Sequence, residues 1–238
     1  DDIVDKLNKG VEHLLKSAGV ETVNGWAEFQ DAKTVKVGKG KDALIIEGEN
    51  VILANGSVPV ELPFMKYGNN VISSREALSL PELPEHVVVV GGGYIGLELG
   101  ITYKMLGSDV TIVEAEDSIL PIFDKELRRP LELFVKKNKI KVNTGVFAKG
   151  VEDTKDGKTK LFFIDKNAKE GTKPEEILAD KILVTVGRKP NSDALKPTGV
   201  ALNERGFVKV NDRCETNMKG VYAIGDVCDS GEMLALSL

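Results

Sequence analysis

Three glycines follow an apolar run in the segment VVVVGGGYIGLELG, residues 87–100. Gly91, Gly93 and Gly96 satisfy the spacing GxGxxG, which permits a tight turn, close approach of a diphosphate to the backbone, and close helix–strand packing. The free N–H groups and positive dipole end of a following helix favour phosphate. The segment therefore predicts a dinucleotide-binding turn. The other turn residues expected to contact the nucleotide are Gly92, Tyr94 and Ile95.

An acidic residue, Glu114, ends the next apolar run and lies 18 residues after Gly96. A carboxylate about 20 residues beyond the turn accepts hydrogen bonds from the adenosine ribose hydroxyls. It also repels a 2′-phosphate, and Ala115–Pro121 contains no Arg or Lys that could bind one. We therefore predict a site for NAD rather than NADP. A tight strand-to-helix turn without a ligand is the alternative interpretation.

The elements that position these residues are typical of an α/β fold. The apolar runs Val87–Val90 and Val110–Val113 predict parallel strands buried on both faces, with a helix over Gly91–Leu106 between them. Another helix is expected from a cap at Asp124 to about Asn138, with Pro130 inside it. Its expected inner face consists of Leu127, Leu131, Phe134 and Val135.

Short strands separated by glycines predict a β meander between Val20 and Leu53, after a helix over residues 2–18. The Asp156-Gly157 pair predicts a hairpin, and Lys166–Ala179 is expected to form a polar loop. The remaining predicted strands are Glu21–Phe29, Thr34–Val37, Ala43–Ile46, Asn50–Ala54, Ile140–Val142, Gly145–Asp153, Lys158–Asp165, Lys181–Val186, 201–210 and 221–224, with a short helix at Ser74–Leu80.

Composition excludes several classes of function. The formal net charge of −5 over 238 residues and the scattered basic residues argue against nucleic acid or an anionic membrane as partner. Two cysteines are too few for a disulfide framework, and no Cys/His cluster suggests a metal. The opening DDIVDKLNKG reads like the middle of a helix, so we expect sequence to be missing before it.

Five segments together resemble the pyridine nucleotide–disulfide oxidoreductases, most closely the branch that oxidises dihydrolipoyl groups. The resemblance implies a Rossmann-like NAD-binding domain inserted in a partial FAD-binding domain. The implied boundaries are 1–60 and 191–238 for the FAD-binding parts and 61–190 for the NAD-binding domain. The segments are VILANGSVP (51–59), VVVVGGGYIGLELG (87–100), VTIVEA (110–115), ILVTVGRKPN (182–191) and ETNMKGVYAIGDVCDSGEMLA (215–235).

The resemblance also implies roles for individual residues. Asp226 would bind the ribityl chain of FAD, and Glu98 would lie beside the flavin–nicotinamide junction. Val146 would contact the NAD adenine, and Gly187 would lie near the nicotinamide. The other residues implied at the flavin are Ala27, Asn55, Gly56, Ser57, Met233, Leu234 and Ala235.

For the complete enzyme, the resemblance implies that dihydrolipoyl groups reduce a redox-active disulfide, which reduces FAD, which passes hydride to NAD⁺. Implied partners are the lipoyl-bearing proteins of 2-oxoacid dehydrogenase complexes, and the implied assembly is a homodimer. The implied location is cytoplasmic, or the mitochondrial matrix in a eukaryote.

Several features of the family are absent from these 238 residues. No GxGxxG precedes residue 60, Cys214 and Cys228 are too far apart for the redox pair, and the C-terminal His–Glu pair is missing. We therefore assign no catalytic residue and expect the chain alone to bind NAD(H) without turning over lipoamide. The alternatives are a non-catalytic nucleotide-binding module and a relative such as an NADH oxidase or mercuric reductase.

Overall fold

The computed structural model describes residues 2–229 of the chain. The chain divides into two compact units, one formed by Asp1–Ser57 with Pro190–Leu238 and the other by Val58–Lys189. The helices and strands, in chain order, are α1 (Asp2–Ser17), β1 (Ala27–Phe29), β2 (Thr34–Val37), β3 (Leu44–Glu47), β4 (Val51–Leu53), β5 (Ser57–Pro59), β6 (Val71–Ile72), α2 (Ser74–Ala77), β7 (His86–Val90), α3 (Tyr94–Leu106), β8 (Asp109–Val113), α4 (Lys125–Lys137), β9 (Lys141–Asn143), β10 (Val146–Asp153), β11 (Thr159–Asp165), β12 (Glu175–Ala179), β13 (Lys181–Val184), β14 (Arg188–Pro190), β15 (Val208–Lys209), β16 (Val221–Ala223) and β17 (Cys228–Asp229).

A five-stranded parallel sheet in the order β6-β13-β7-β8-β9 organises the unit Val58–Lys189. Along β7, Val87 and Val89 enter an apolar cluster with Leu97 of α3. Val88 and Val90 enter a second cluster on the other face. Both faces are covered, which explains why β7 is continuously apolar rather than alternating. The predicted α/β class and the strand–helix–strand unit are confirmed.

A three-stranded antiparallel sheet, β10-β11-β12, contributes the buried Leu161 and Phe163 to the second cluster. The predicted Asp156-Gly157 hairpin is confirmed, because β10 and β11 pair on either side of it. The polar loop expected over Lys166–Ala179 is wrong in its last part. β12 forms there because Ala179 is buried opposite Thr159, a contact that no local pattern reveals.

The other unit contains the antiparallel meander β1-β2-β3 and a parallel pair of β4 with β16. Its apolar cluster includes Leu53, Val221 and Val227. The strand expected over Glu21–Phe29 is confined to β1. The strand expected over 201–210 is interrupted by a tight turn, in which Asn203 Oδ1 accepts bonds from the N–H groups two and four residues later.

Helix α4 confirms the helix expected after Asp124, but not its expected inner face. Only Val135 is buried, with Leu131 packed partly beside it. Leu127 and Phe134 are exposed. The helix therefore contacts the core along a narrow i,i+4 stripe rather than a broad face. The helix expected over Ser74–Leu80 ends at Ala77.

Candidate nucleotide-binding site

The turn between β7 and α3 brings the backbone unusually close to Thr185, the residue after β13. A Cβ on Gly91 would lie 2.6 Å from the carbonyl oxygen of Thr185, and Gly91 has a φ of +109°. A Cβ on Gly96 would lie 2.2 Å from the carbonyl oxygen of Gly91. Both positions therefore require glycine, the first for conformation and contact and the second for helix–strand packing.

Gly93 differs from these two glycines because its surroundings are open. A Cβ there would meet no atom within 4 Å. Gly93 is also the N-cap of α3, and the first intrahelical bond joins Leu97 N–H to the Gly93 carbonyl at 3.0 Å. The first N–H groups of a helix lack intrahelical partners. The turn thus combines free space with unpaired amide donors, as an anionic group requires.

The Glu114 carboxylate lies directly beside this turn. Its side chain is buried, with 7% of the residue exposed. One oxygen, Oε2, accepts a bond from Gly92 N–H, and the other, Oε1, accepts from Glu116 N–H at 2.8 Å. Each carboxylate oxygen can accept more than one hydrogen bond, so both retain capacity for hydroxyl donors. The structure therefore brings Glu114 and the glycine turn together, as the sequence predicts.

Thr185 is a positioning residue that sequence reasoning missed. Its hydroxyl is 3.0 Å from the Gly91 carbonyl and 3.2 Å from the Val90 carbonyl, and its N–H donates to Val90 at 2.8 Å. These contacts fix the turn against the carboxyl end of β13. The available signal was the threonine at the carboxyl end of an apolar strand, where parallel strands place functional residues.

The loop after Glu114 carries cationic contacts that the sequence prediction did not include. Lys166 Nζ contacts Asp117 Oδ1, and Arg128 Nη1 contacts Ser118 Oγ. Ala115–Pro121 contains no Arg or Lys of its own, as the sequence analysis states, but these two basic side chains contact it from outside. Both basic residues come from other elements, which a local reading cannot detect.

Other residues implied at the nucleotide occupy varied environments. Val146 is buried, and its N–H donates to the Glu114 carbonyl at 3.1 Å. Gly187 is exposed with a φ of +122°, and Glu98 is exposed on α3. Tyr94 and Ile95 form the first turn of α3.

In the unit Asp1–Ser57 with Pro190–Leu238, two residues implied at the flavin meet. The Ser57 hydroxyl donates to Asp226 Oδ2 at 2.6 Å, although 169 positions separate them. Asn191 N–H donates to the Gly56 carbonyl at 2.9 Å, and Asn191 Nδ2 lies 3.5 Å from the Asn55 carbonyl. Ala27 is exposed at the start of β1. Met233, Leu234 and Ala235 lie outside the described residues.

Within residues 2–229, no helix is long and apolar enough to span a membrane. The same described residues contain no group of three or more His, Cys, Asp or Glu side chains that could hold a metal ion.

The parallel sheet and the strand–glycine turn–helix unit define a Rossmann-type α/β protein. The chain belongs to the family described as pyridine nucleotide-disulphide oxidoreductase, whose profile matches residues 2–237. This confirms the resemblance inferred from the five sequence segments.

Curated relatives include dihydrolipoyl dehydrogenases from Geobacillus stearothermophilus, at 42% identity over 94% of this chain and 47% of the relative, and from Pseudomonas aeruginosa, at 44% over 95% and 47%. The chain thus spans about half the length of the curated relatives it matches. Among solved structures, the HOCl-induced flavoprotein disulfide reductase RclA from Escherichia coli matches with a TM-score of 0.81 and 27% identity, covering 96% of this chain and 51% of that one. LpdA from Mycobacterium tuberculosis shares the fold, with a TM-score of 0.84, 24% identity and coverage of 95% and 50%.

Proposed function

We propose that this chain binds NAD(H) in preference to NADP(H), as the nucleotide-binding part of a flavin-dependent dihydrolipoyl dehydrogenase. The observation that carries the proposal is the Glu114 carboxylate, fixed by two backbone N–H groups beside the open N-terminus of α3. In this arrangement the diphosphate contacts amides of the glycine turn, and the adenosine ribose donates its two hydroxyls to Glu114.

The residues present fit a dinucleotide at three points. The space in front of Gly93 accommodates a phosphate that a larger residue would displace. The Glu114 oxygens have remaining acceptor capacity. Thr185 supports the turn through the Gly91 carbonyl. When bound, the nicotinamide accepts or donates a hydride, and this chain's contribution is to bind and orient it.

The proposal of a flavin site rests on fewer residues. The Ser57–Asp226 hydrogen bond supports this part of the proposal, because the resemblance assigns both residues to the flavin. No second glycine-rich phosphate turn occurs within residues 2–229. We therefore propose FAD as a cofactor of the whole enzyme.

For the whole enzyme, the names of the curated relatives support oxidation of dihydrolipoyl groups. We propose lipoyl-bearing proteins of 2-oxoacid dehydrogenase complexes as its partners, a homodimer as its assembly, and the cytoplasm or mitochondrial matrix as its location. The two cysteines of the described residues are 14 positions apart, too far for the redox pair that the resemblance implies. The chain itself is therefore proposed to bind nucleotide without reducing lipoamide.

Isothermal titration with NADH and NADPH tests the proposal. The parent chain is expected to bind NADH at least tenfold more tightly than NADPH, a difference of about 1.4 kcal/mol. Glu114→Ala is expected to abolish this preference, because it removes both the ribose acceptors and the charge that repels a 2′-phosphate. Glu114→Gln should lose the repulsion but keep one acceptor oxygen. Its preference for NADH should therefore lie between those of the parent and Glu114→Ala.

Glu152→Ala is the matched control, because it removes an exposed carboxylate from β10, where Glu152 lies opposite Lys160 of β11. It should leave both affinities unchanged. Equal affinity of the parent for the two nucleotides, or no binding of NADH, would contradict the proposed function. Lipoamide reduction by the purified chain would contradict the absence of a redox centre.

A further inference from the structure

A lysine from the end of the antiparallel sheet lies against the loop that follows Glu114. Lys166, the residue after β11, contacts Asp117 Oδ1 through its ammonium group. The Lys166 side chain is largely covered, with 28% exposure, whereas that of Asp117 is 81% exposed. The lysine is thus fixed by its surroundings, and the aspartate reaches it from the solvent side.

A series of hydrogen bonds connects this ion pair to the Glu114 carboxylate. Glu116 N–H donates to Glu114 Oε1, and Gly145 N–H donates to the Glu116 carbonyl, both at 2.8 Å. Lys166 N–H in turn donates to the Gly145 carbonyl at 2.8 Å. Lys166 therefore belongs to the same hydrogen-bonded edge as the carboxylate expected to hold the ribose.

The charge around Lys166 is strongly negative. The hydrogen bond that Lys166 donates to Asp117 is the main reason that the pKa of Lys166 is raised, and the charges of Asp117, Glu116 and Asp165 act in the same direction. Three carboxylates thus favour the charged form of one ammonium group. A 2′-phosphate carries roughly two negative charges and would meet repulsion rather than a free cation.

Resting on the proposed function, we propose that Asp117 is a second determinant of the choice between NAD(H) and NADP(H). Asp117 occupies the ammonium group of Lys166 and so prevents it from binding a 2′-phosphate. Loss of Glu114 alone would remove one repulsive charge without supplying a cation. Loss of Asp117 as well would release Lys166 as a partner for the phosphate oxygens.

A series in the Glu114→Gln background tests the inference by isothermal titration of NADPH at low ionic strength. Adding Asp117→Asn is expected to tighten NADPH binding roughly tenfold or more, as one charge-assisted hydrogen bond provides. Adding Lys166→Met to that double variant should remove the gain. Lys160→Met is the matched control, because Lys160 lies on β11, the strand that ends just before Lys166, and pairs with Glu176. It should leave the gain intact.

The gain should also shrink as salt is raised, since the new contact is between charges near the surface. Asp117→Ser in the Glu114→Gln background should tighten NADPH binding to the same extent as Asp117→Asn. This result would show that the gain follows from loss of the carboxylate. No gain from either substitution, or a gain that survives Lys166→Met, overturns the inference. NADH titration of the parent separates the two proposals: parent binding with no Asp117 effect overturns this inference alone, and no parent binding overturns both.

Discussion

Helices α1 and α3 lie in different units and have opposite relations to their surroundings. α3 buries Gly96, Leu97, Gly100 and Tyr103 against the parallel sheet. α1 is strongly amphipathic in sequence but has no buried residue. Its apolar residues Ile3, Val4, Leu7, Val11 and Leu14 are all exposed.

The difference shows that apolar periodicity specifies a helix without specifying what covers it. α3 is held by contacts with β7 and β8, which are its neighbours in sequence, and by glycines that allow those contacts. α1 is followed by residues 18–26, which form no helix or strand, and only then by the meander. We therefore expect the two helices to respond very differently to substitution. Two predictions test this contrast, and a third extends it to α2.

The largest effect is expected at Gly96. In Gly96→Val, side-chain atoms would overlap the Gly91 carbonyl and the Thr185 hydroxyl, which are 2.2 and 2.6 Å from the position of a Cβ. We expect a loss of about 3 kcal/mol in the free energy of unfolding, typical of severe overpacking. Denaturant titration measures it, with Gly150→Ala as the control because a Cβ at Gly150 meets nothing within 4 Å. Equal stability of the two variants would refute the close-packing argument.

A leucine in each helix gives the direct comparison. Leu97 of α3 is 2% exposed, and Leu97→Ala is expected to cost about 3 kcal/mol through lost burial and a residual cavity. Leu14 of α1 is 68% exposed, so Leu14→Ala should change the free energy of unfolding by less than about 0.5 kcal/mol. Similar losses in both variants would mean that α1 is covered in solution and would break the contrast.

A smaller effect than at Gly96 and Leu97 is expected at the capping box of α2, a third helix. Ser73 caps the helix and contacts Glu76, and the hydrogen bond from Ser73 is the main reason that the Glu76 pKa lies below its ordinary value of 4.5. A lowered pKa stabilises the fold above that value, and the stabilisation is lost as pH falls through the folded-state pKa. Ser73→Ala should therefore cost about 1 kcal/mol at pH 7 and less at acidic pH.

Denaturant titrations of the parent and Ser73→Ala between pH 7 and pH 3 measure this convergence. Glu76→Gln should also approach the parent at low pH, because protonated Glu76 resembles the amide. A difference that stays constant over the whole range would show that the carboxylate does not contribute.

Sequence patterns predicted the centre of the molecule better than its edges. β7, α3 and β8 were predicted to within a few residues, because a doubly covered strand is continuously apolar and glycine marks the turn. β12 was missed because its short sequence EEILA begins with two glutamates and does not alternate, and the strand is stabilised by pairing with β11. The inner face of α4 was predicted too wide. Leu127 and Phe134 are apolar, but they lie on a part of the helix that does not contact the core.

The candidate site shows the same division. Gly91, Gly93, Gly96 and Glu114 could be identified because their spacing is local. Thr185 and Lys166 lie 71 and 52 residues beyond Glu114, just after β13 and β11, so no local spacing connects them with it. Long-range contacts of this kind leave no periodic trace in the sequence.

The open space at Gly93 has a consequence for how such a protein could change its ligand. The groups that border this space are main-chain amides, which remain whichever side chains are exchanged around them. Under the proposed function, variation can therefore alter which sugar is accepted without removing the amides that would bind the phosphates. A mutant library aimed at new nucleotide preferences should accordingly diversify positions 114–118 and 166 and leave 91–96 untouched.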